Sequence, residues 1–220
     1  MGSLTIPMEI KTLTGTPAGV FVVVGFTERK LSPSLQSLAA RQLLACLLRL
    51  LDLPWIENGI SDVGIESLPK IEKEIADVGT QSLPKIENRR TESLSRIEKD
   101  GEGKPYFPEM PWVHFSLSHT ERAVMAAISG SPIGCDIEPV IEGVTPELLS
   151  LCLSAAERRQ LYAEAEAHEN IAEAFTRIWT RKEAAIKRQG RIPEEIAAWP
   201  SDAPRLHTWR ERGFYLSVAY

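Results

Sequence analysis

The stretch VHFSLSHTERAVMAAISGSPIGCDIEPV, Val113 to Val140, decides the fold. Val113 to Leu117 reads as a strand and Ser118-His119-Thr120-Glu121-Arg122 as a polar loop. Ala123 to Ile128 reads as a second strand, Ser129-Gly130-Ser131-Pro132 as a turn and Ile133 to Val140 as a third strand. Short polar connections between apolar runs predict an antiparallel meander. On the third strand Asp136 and Glu138 stand two residues apart and share one face, while Ile133 and Ile137 take the other.

Working outward, Val20 to Val24 is a β-branched and aromatic run that predicts a buried strand. Ser32 and Pro33 open a helix. Leu35, Leu38, Ala39, Gln42, Leu43, Cys46, Leu47 and Leu50 then follow at helical spacing, ending before Pro54. Downstream, Ser154 with Glu157 three residues on forms a capping box for a charged helix. A longer helix spans about Asn170 to Gln189, with Ile171, Ala174, Phe175, Ile178, Trp179 and Ile186 on one side, and Gly190 ends it. Gly213 to Tyr220 reads as a closing strand. Strands and helices in this order predict an α+β arrangement.

From about Glu57 to Asp100 the chain repeats itself. Asp62-Val63-Gly64 recurs as Asp77-Val78-Gly79, and Ser67-Leu68-Pro69-Lys70-Ile71-Glu72 recurs as Ser82-Leu83-Pro84-Lys85-Ile86-Glu87, then decays to Ser93-Leu94-Ser95-Arg96-Ile97-Glu98. The period drifts, and a solenoid needs several regular units to stack a core. The segment reads as a tandem-duplicated, loosely structured insert at about residues 57–100, with a docked helical hairpin as the alternative. Order is expected again from Gly103.

A chain of 220 residues with 43% apolar and 25% charged residues can bury a core in one domain or two small lobes. Its net charge of −5 argues against nucleic-acid binding by bulk electrostatics. Cys46, Cys135 and Cys152, like His114, His119, His168 and His207, lie scattered without zinc or disulfide spacing. Reduced thiols and a cytoplasmic protein are therefore expected. The longest apolar run, Leu43 to Leu53, carries Arg49 and Asp52 and is too short for a bilayer. The N-terminus lacks a secretory pattern, and Met1 to Pro7 also reads as a leader before Met8.

Three groups of residues could carry chemistry. The adjacent carboxylates of Asp136 and Glu138 need a cation between them and suit magnesium, which takes one or two protein carboxylates plus waters and substrate phosphates. The plain alternative is a solvated strand end. Trp179, Glu183 and Lys187 fall at successive i+4 steps on one helix face with Lys182 adjacent; the alternative is an exposed Glu–Lys pair beside a core tryptophan. Ser118 and His119 at a strand end suit a phosphate better than a Ser–His nucleophile, since the elbow glycines are missing. Gly103-Lys104-Pro105 places a lysine in a turn just ahead of them.

The order of these blocks is more informative than any one of them. Gly-Lys-Pro-Tyr-Phe (103–107), Phe-Ser-Leu-Ser-His-Thr (115–120), Ile-Gly-Cys-Asp-Ile-Glu (133–138) and Trp-Thr-Arg-Lys-Glu-Ala-Ala-Ile-Lys (179–187) together resemble the 4′-phosphopantetheinyl transferase superfamily, in particular its surfactin-synthetase-activating type. The resemblance implies two similar α/β lobes in pseudo-twofold arrangement, here 1–102 with the insert and 103–220 with the metal site. It implies magnesium-dependent transfer of phosphopantetheine from coenzyme A to a serine of an apo acyl or peptidyl carrier protein, releasing adenosine 3′,5′-bisphosphate. Carried over by position, Asp136, Glu138 and Glu183 would hold Mg2+, Glu183 would act as base and Lys187 would neutralise the diphosphate. Lys104, Lys182, Ser118 and His119 would bind the nucleotide and phosphates, with Arg41 as a further contact. A monomer without nucleic-acid or membrane partners is expected.

Cys135 takes a position where the family's pattern has isoleucine or valine, as a small hydrophobe. Arg29, Lys30 and Arg41 are the candidate bases of the N-terminal lobe for the 3′-phosphate. Two other readings stand beside the transferase: a module that binds carrier or coenzyme A without turnover, and a magnesium-dependent phosphate enzyme such as a nucleotide pyrophosphatase.

Overall fold

The structure, a computed structural model, describes residues 8–12, 19–51, 97–167, 170–201 and 205–220. The expected leader and the repeats of the insert up to residue 96 lie outside the described residues. The chain folds as mixed α and β with antiparallel sheets, β1 (Glu9–Thr12), β2 (Val20–Phe26), β6 (Ala123–Ser129) and β5 (His114–His119) forming the first in the order β1-β2-β6-β5. Helix α1 (Pro33–Leu50) covers one face of this sheet. The periodicity that predicts α1 is the packing pattern: Ala39, Leu43, Leu44, Leu47 and Leu48 bury against Phe21, Val23, Phe115, Val124, Ala126 and Ile128.

A second sheet, β7 (Gly134–Pro139), β9 (Phe214–Ala219) and β8 (Leu206–Glu211) in the order β7-β9-β8, packs on the other face. There Val20, Val22, Val24, Met125 and Ala127 meet Ile133, Cys135, Ile137, Leu216 and Val218. The expected three-stranded meander is thus corrected. β5 and β6 pair, but β7 leaves them and pairs with β9, from Gly134↔Ala219 to Pro139↔Phe214. Period-two alternation specifies which face of β7 is buried; it carries no information on which strand lies alongside.

β7 still runs beside β5, joined through side chains. The Cys135 N–H donates to Ser116 Oγ at 3.0 Å and the Ile137 N–H to Ser118 Oγ at 3.3 Å, so two hydroxyls stand in for backbone carbonyls. Phe115 turns into the α1 core while Ser116 and Ser118 face β7, which explains the Phe-Ser-Leu-Ser alternation. At the opposite side of the sandwich Lys11 on β1 meets Glu211 on β8 at 2.7 Å, and Arg212 pairs with Glu9.

The helices α2 (Pro146–Cys152), α3 (Ala155–Ala167) and α4 (Ile171–Gln189) follow β7. α2 and β8 were not foreseen; α2 has only one short turn pattern, signalled by its Thr145 N-cap and Pro146. Ser154 and Glu157 make the expected capping box, with Ser154 N–H to Glu157 Oε2 at 2.7 Å and Glu157 N–H to Ser154 Oγ at 3.2 Å. Asn170 caps α4, and Gly190 ends it at φ 81°, where a left-handed residue is required. α4 lies across β7 and β9, anchored by Thr180 Oγ1 to Ser217 Oγ at 3.0 Å and by the Ile141 N–H to Thr176 Oγ1 at 2.8 Å.

Regular structure also begins earlier than expected after the insert. Ile97 packs on the α1 core, and β3 (Glu98–Lys99) pairs with β4 (Pro105–Tyr106) around an Asp100 turn that accepts the Lys104 N–H at 2.9 Å. The expected division at 102/103 falls within this hairpin, and the four-stranded sheet draws strands from both sides of it. Among the described residues no helix is long and apolar enough to cross a membrane.

Candidate active site

The site forms where α4 crosses the β5–β7 seam. Gly134 makes that crossing close: a Cβ there would stand 2.1 Å from the Ala184 carbonyl oxygen and 2.2 Å from the Arg188 amide nitrogen. With hydrogen alone at that position, the last turns of α4 press onto β7 and carry Lys187 to Asp136. The Lys187 ammonium donates to Asp136 Oδ1 at 2.7 Å and to Ser118 Oγ at 3.2 Å, and stands 3.6 Å from Glu183 Oε2 one turn back. Ser118 donates its own proton to Asp136 Oδ1 at 2.8 Å, so with the Ile137 N–H its hydroxyl is fully used.

Asp136 is 2% exposed, and its buried Oδ2 has no hydrogen-bond partner among the described residues. Glu138, on the same strand face, is pushed up to about 7 by burial and by the nearby charges of Asp136 and Glu183. Burial, then the charge of Asp136, also raises Glu183, with Lys187 working against them. Lys187 itself is held above its ordinary value, because Asp136 and Glu183 outweigh the burial that opposes its charge. Three carboxylates thus share one lysine and repel each other, the signature of a site suited to a further cation.

Among the described residues no three carboxylate, imidazole or thiol groups are already drawn to metal-ligand spacing. The orphaned Asp136 Oδ2 and the raised Glu138 and Glu183 nevertheless supply hard oxygen donors lacking positive charge, which is what a magnesium ion would bring.

The remaining expected residues fall in different places. His119 sits at the end of β5 with Nδ1 3.1 Å from Gln36 Oε1 of α1, and burial with the charge of Lys187 lowers it, so the ring is neutral at neutral pH. Lys104 donates to the Arg188 carbonyl at 2.6 Å and so caps the end of α4. Arg41 is exposed on α1, outside these contacts. Ser118, expected at a phosphate, stands in the carboxylate cluster. Lys182 departs most. It is fully buried and donates to Glu157 Oε2 at 2.7 Å, to the Cys152 carbonyl at 2.9 Å, and to the Ile196 and Ala197 carbonyls at 3.1 and 3.3 Å. Every proton of the ammonium thus has a protein acceptor in a niche apart from the carboxylate cluster, where the sequence leads one to expect a nucleotide contact. The sequence reading missed Glu157 as its counterion; the capping box revealed only half of what that carboxylate does.

This clustering brings together residues from three separated blocks of sequence. Residues 132–211 match the family model of the 4′-phosphopantetheinyl transferase superfamily. The matched span contains Asp136, Glu138, Glu183 and Lys187. The chain is 35% identical over 89 residues to a 4′-phosphopantetheinyl transferase of Bacillus subtilis, covering 40% of this chain and 38% of the relative. It is 32% identical over 96 residues to the 4′-phosphopantetheinyl transferase Sfp of Bacillus subtilis strain 168, covering 44% and 42%. To the 4′-phosphopantetheinyl transferase AcpT of Salmonella typhi it is 34% identical over 119 residues, covering 53% and 61%. The chain thus spans about two fifths of the length of the Bacillus relatives it matches.

Proposed function

We propose that this protein transfers the 4′-phosphopantetheine arm of coenzyme A to a serine hydroxyl of an apo acyl or peptidyl carrier protein. The observation that carries the reading is the cluster of Asp136, Glu138, Glu183 and Lys187, in which, among the described residues, one lysine faces three carboxylates and one buried carboxylate oxygen has no partner. Attack on a diphosphate needs charge neutralisation and in-line positioning more than a reactive protein nucleophile. Asp136, Glu138 and Glu183 would hold Mg2+, which supplies positive charge to the diphosphate oxygens. Lys187 offers a second positive charge on the same side. Glu183, raised by its surroundings, accepts the proton of the incoming serine as its oxygen bonds to phosphorus. The phosphorus–oxygen bond to adenosine 3′,5′-bisphosphate breaks, and that group leaves.

Lys104 and His119, with Arg41 further out, are the proposed contacts for the nucleotide and its phosphates; Lys182 is left out of that set. The two sheets, each with one long helix against it, are taken as the two lobes. Their division then lies between β6 and β7, and coenzyme A lies across the β5–β7 seam. The protein is read as a cytoplasmic monomer.

The test is intact-mass spectrometry of apo carrier proteins incubated with the protein, coenzyme A and magnesium. A gain of one phosphopantetheine, lost with chelator and with Glu183→Gln, is the expected result. Hydrolysis of coenzyme A without any carrier would replace this reading with a pyrophosphatase, and coenzyme A binding without gain on any carrier with a non-catalytic binder.

A further inference from the structure

Lys182 and Glu157 form a buried ion pair that none of the proposed chemistry uses. Lys182 is 0% exposed and Glu157 7%. Around them four elements converge: the Cys152 carbonyl ends α2, Glu157 begins α3, Lys182 lies in α4, and the Ile196 and Ala197 carbonyls belong to the short 3-10 turn Ile196–Ala198. The second oxygen of Glu157 accepts the Ser201 N–H at 3.0 Å, so the segment after α4 is tied in as well. Burial works against the Glu157 charge, but the bonds from Lys182, Ser154 and Ser201 hold its carboxyl below the usual range.

A buried lysine with a paired carboxylate and three carbonyls gives a directional anchor, unlike an apolar contact, which tolerates sliding. On α4 the neighbouring residue is Glu183, about 100° further round the helix. The sheet-facing tethers of α4, Thr176 and Thr180, hold one side of the helix. Lys182 holds the flank turned toward α2 and α3, and with both sides tied the helix cannot roll. Among the described residues, Glu183 is oriented by the 3.6 Å pairing with Lys187 on its own helix.

We propose that Lys182, through Glu157, is a positioning residue that sets the rotation of α4 and thereby the placement of Glu183 opposite Asp136 and Glu138. This rests on the proposed function for what Glu183 does, and not for where it is held. Loss of an outer partner that orients a ligating carboxylate lowers metal affinity or turnover by about 10- to 100-fold. Of the contacts proposed for coenzyme A, His119 lies off α4 while Lys187 moves with it and Lys104 holds its end, so KM is expected to change less than Mn2+ affinity and kcat.

The test compares wild type with Lys182→Met and with the double variant Lys182→Met/Glu157→Leu. The double variant leaves no lone buried charge, although the Ser154 and Ser201 N–H groups and three carbonyls lose their partners, so its thermal midpoint is expected between those of the single variant and wild type. Where Lys182→Met alone unfolds, the double variant carries the test. Mn2+ binding is read by electron paramagnetic resonance, alongside transfer kinetics. The expected result is a folded double variant whose Mn2+ affinity and kcat have both fallen by about 10-fold or more, with a smaller change in KM for coenzyme A. A double variant with wild-type Mn2+ affinity and kcat overturns the proposal and reduces the pair to a stabilising contact. A raised KM with unchanged kcat also overturns it, by making Lys182 a coenzyme contact. If wild type binds Mn2+ but transfers to no carrier, the functional reading fails alone, and the Mn2+ arm still decides the positioning role. A wild-type protein that binds no Mn2+ overturns both.

Discussion

Substituting alanine for Gly134 isolates the close approach that builds the site. The added methyl would stand 2.1 Å from the Ala184 carbonyl oxygen, where ordinary contact begins at 3.4 Å, so α4 must withdraw by about 1.3 Å (3.4 − 2.1). Both clashing atoms are helix backbone and cannot swing aside. Overpacking of a close-packed interface costs about 1–3 kcal/mol, and a rigid backbone clash lies at or above the top of that range. Displacing Lys187 and Glu183 by about 1 Å should also lower kcat by about 100-fold. Gly101→Ala is the internal control, because its Cβ meets nothing within 4 Å and its backbone needs no positive φ. Urea unfolding followed by tryptophan fluorescence gives both stabilities. Gly134→Ala with the midpoint of Gly101→Ala and of wild type would refute the account of how α4 is seated.

Ser118→Ala removes an acceptor from the Ile137 N–H and a donor from Asp136 within a buried cluster, and should cost about 1–3 kcal/mol in the same unfolding assay. Lys187→Met leaves Asp136 buried without its cation; since Lys187 is partly exposed, a loss of about 2–3 kcal/mol is expected in chelator, partly regained in magnesium. Glu138 keeps its proton up to about 7 in the fold but only to its ordinary 4.5 when unfolded, so the folded state binds more protons between these values. Without divalent ions, wild-type stability should therefore fall relative to Glu138→Gln as pH rises through that window; comparison of unfolding midpoints at pH 5 and 8 reads it.

The long helices and the shared strand face of Asp136 and Glu138 could be read from the chain because their signals are local. Leucines at helical spacing define α1, Asn170 and Gly190 bound α4, and Asp136 and Glu138 share a face by the geometry of any strand. Pairing is a different matter. That β7 would join β9, some eighty residues later, and not β6 beside it depends on which surface α4 leaves free for it, and no window of sequence contains that information. Lys182 shows the same limit at the scale of one side chain. Its charge places it on a polar face by pattern, yet Glu157 and three carbonyls from remote turns make a polar niche inside the core. β8 escaped notice because Leu-His-Thr-Trp-Arg-Glu alternates too weakly to stand out.

The seam between β5 and β7 gives the sandwich a compliant side. Cys135 and Ile137 place their amides on serine hydroxyls, and hydroxyls rotate where carbonyls of a ladder cannot. Four side-chain hydrogen bonds join the two sheets at this edge, where the ladders β2–β6 and β7–β9 use backbone pairs throughout. This softer edge runs beside Asp136, and the same Ser118 hydroxyl that receives the Ile137 amide also serves the carboxylate cluster.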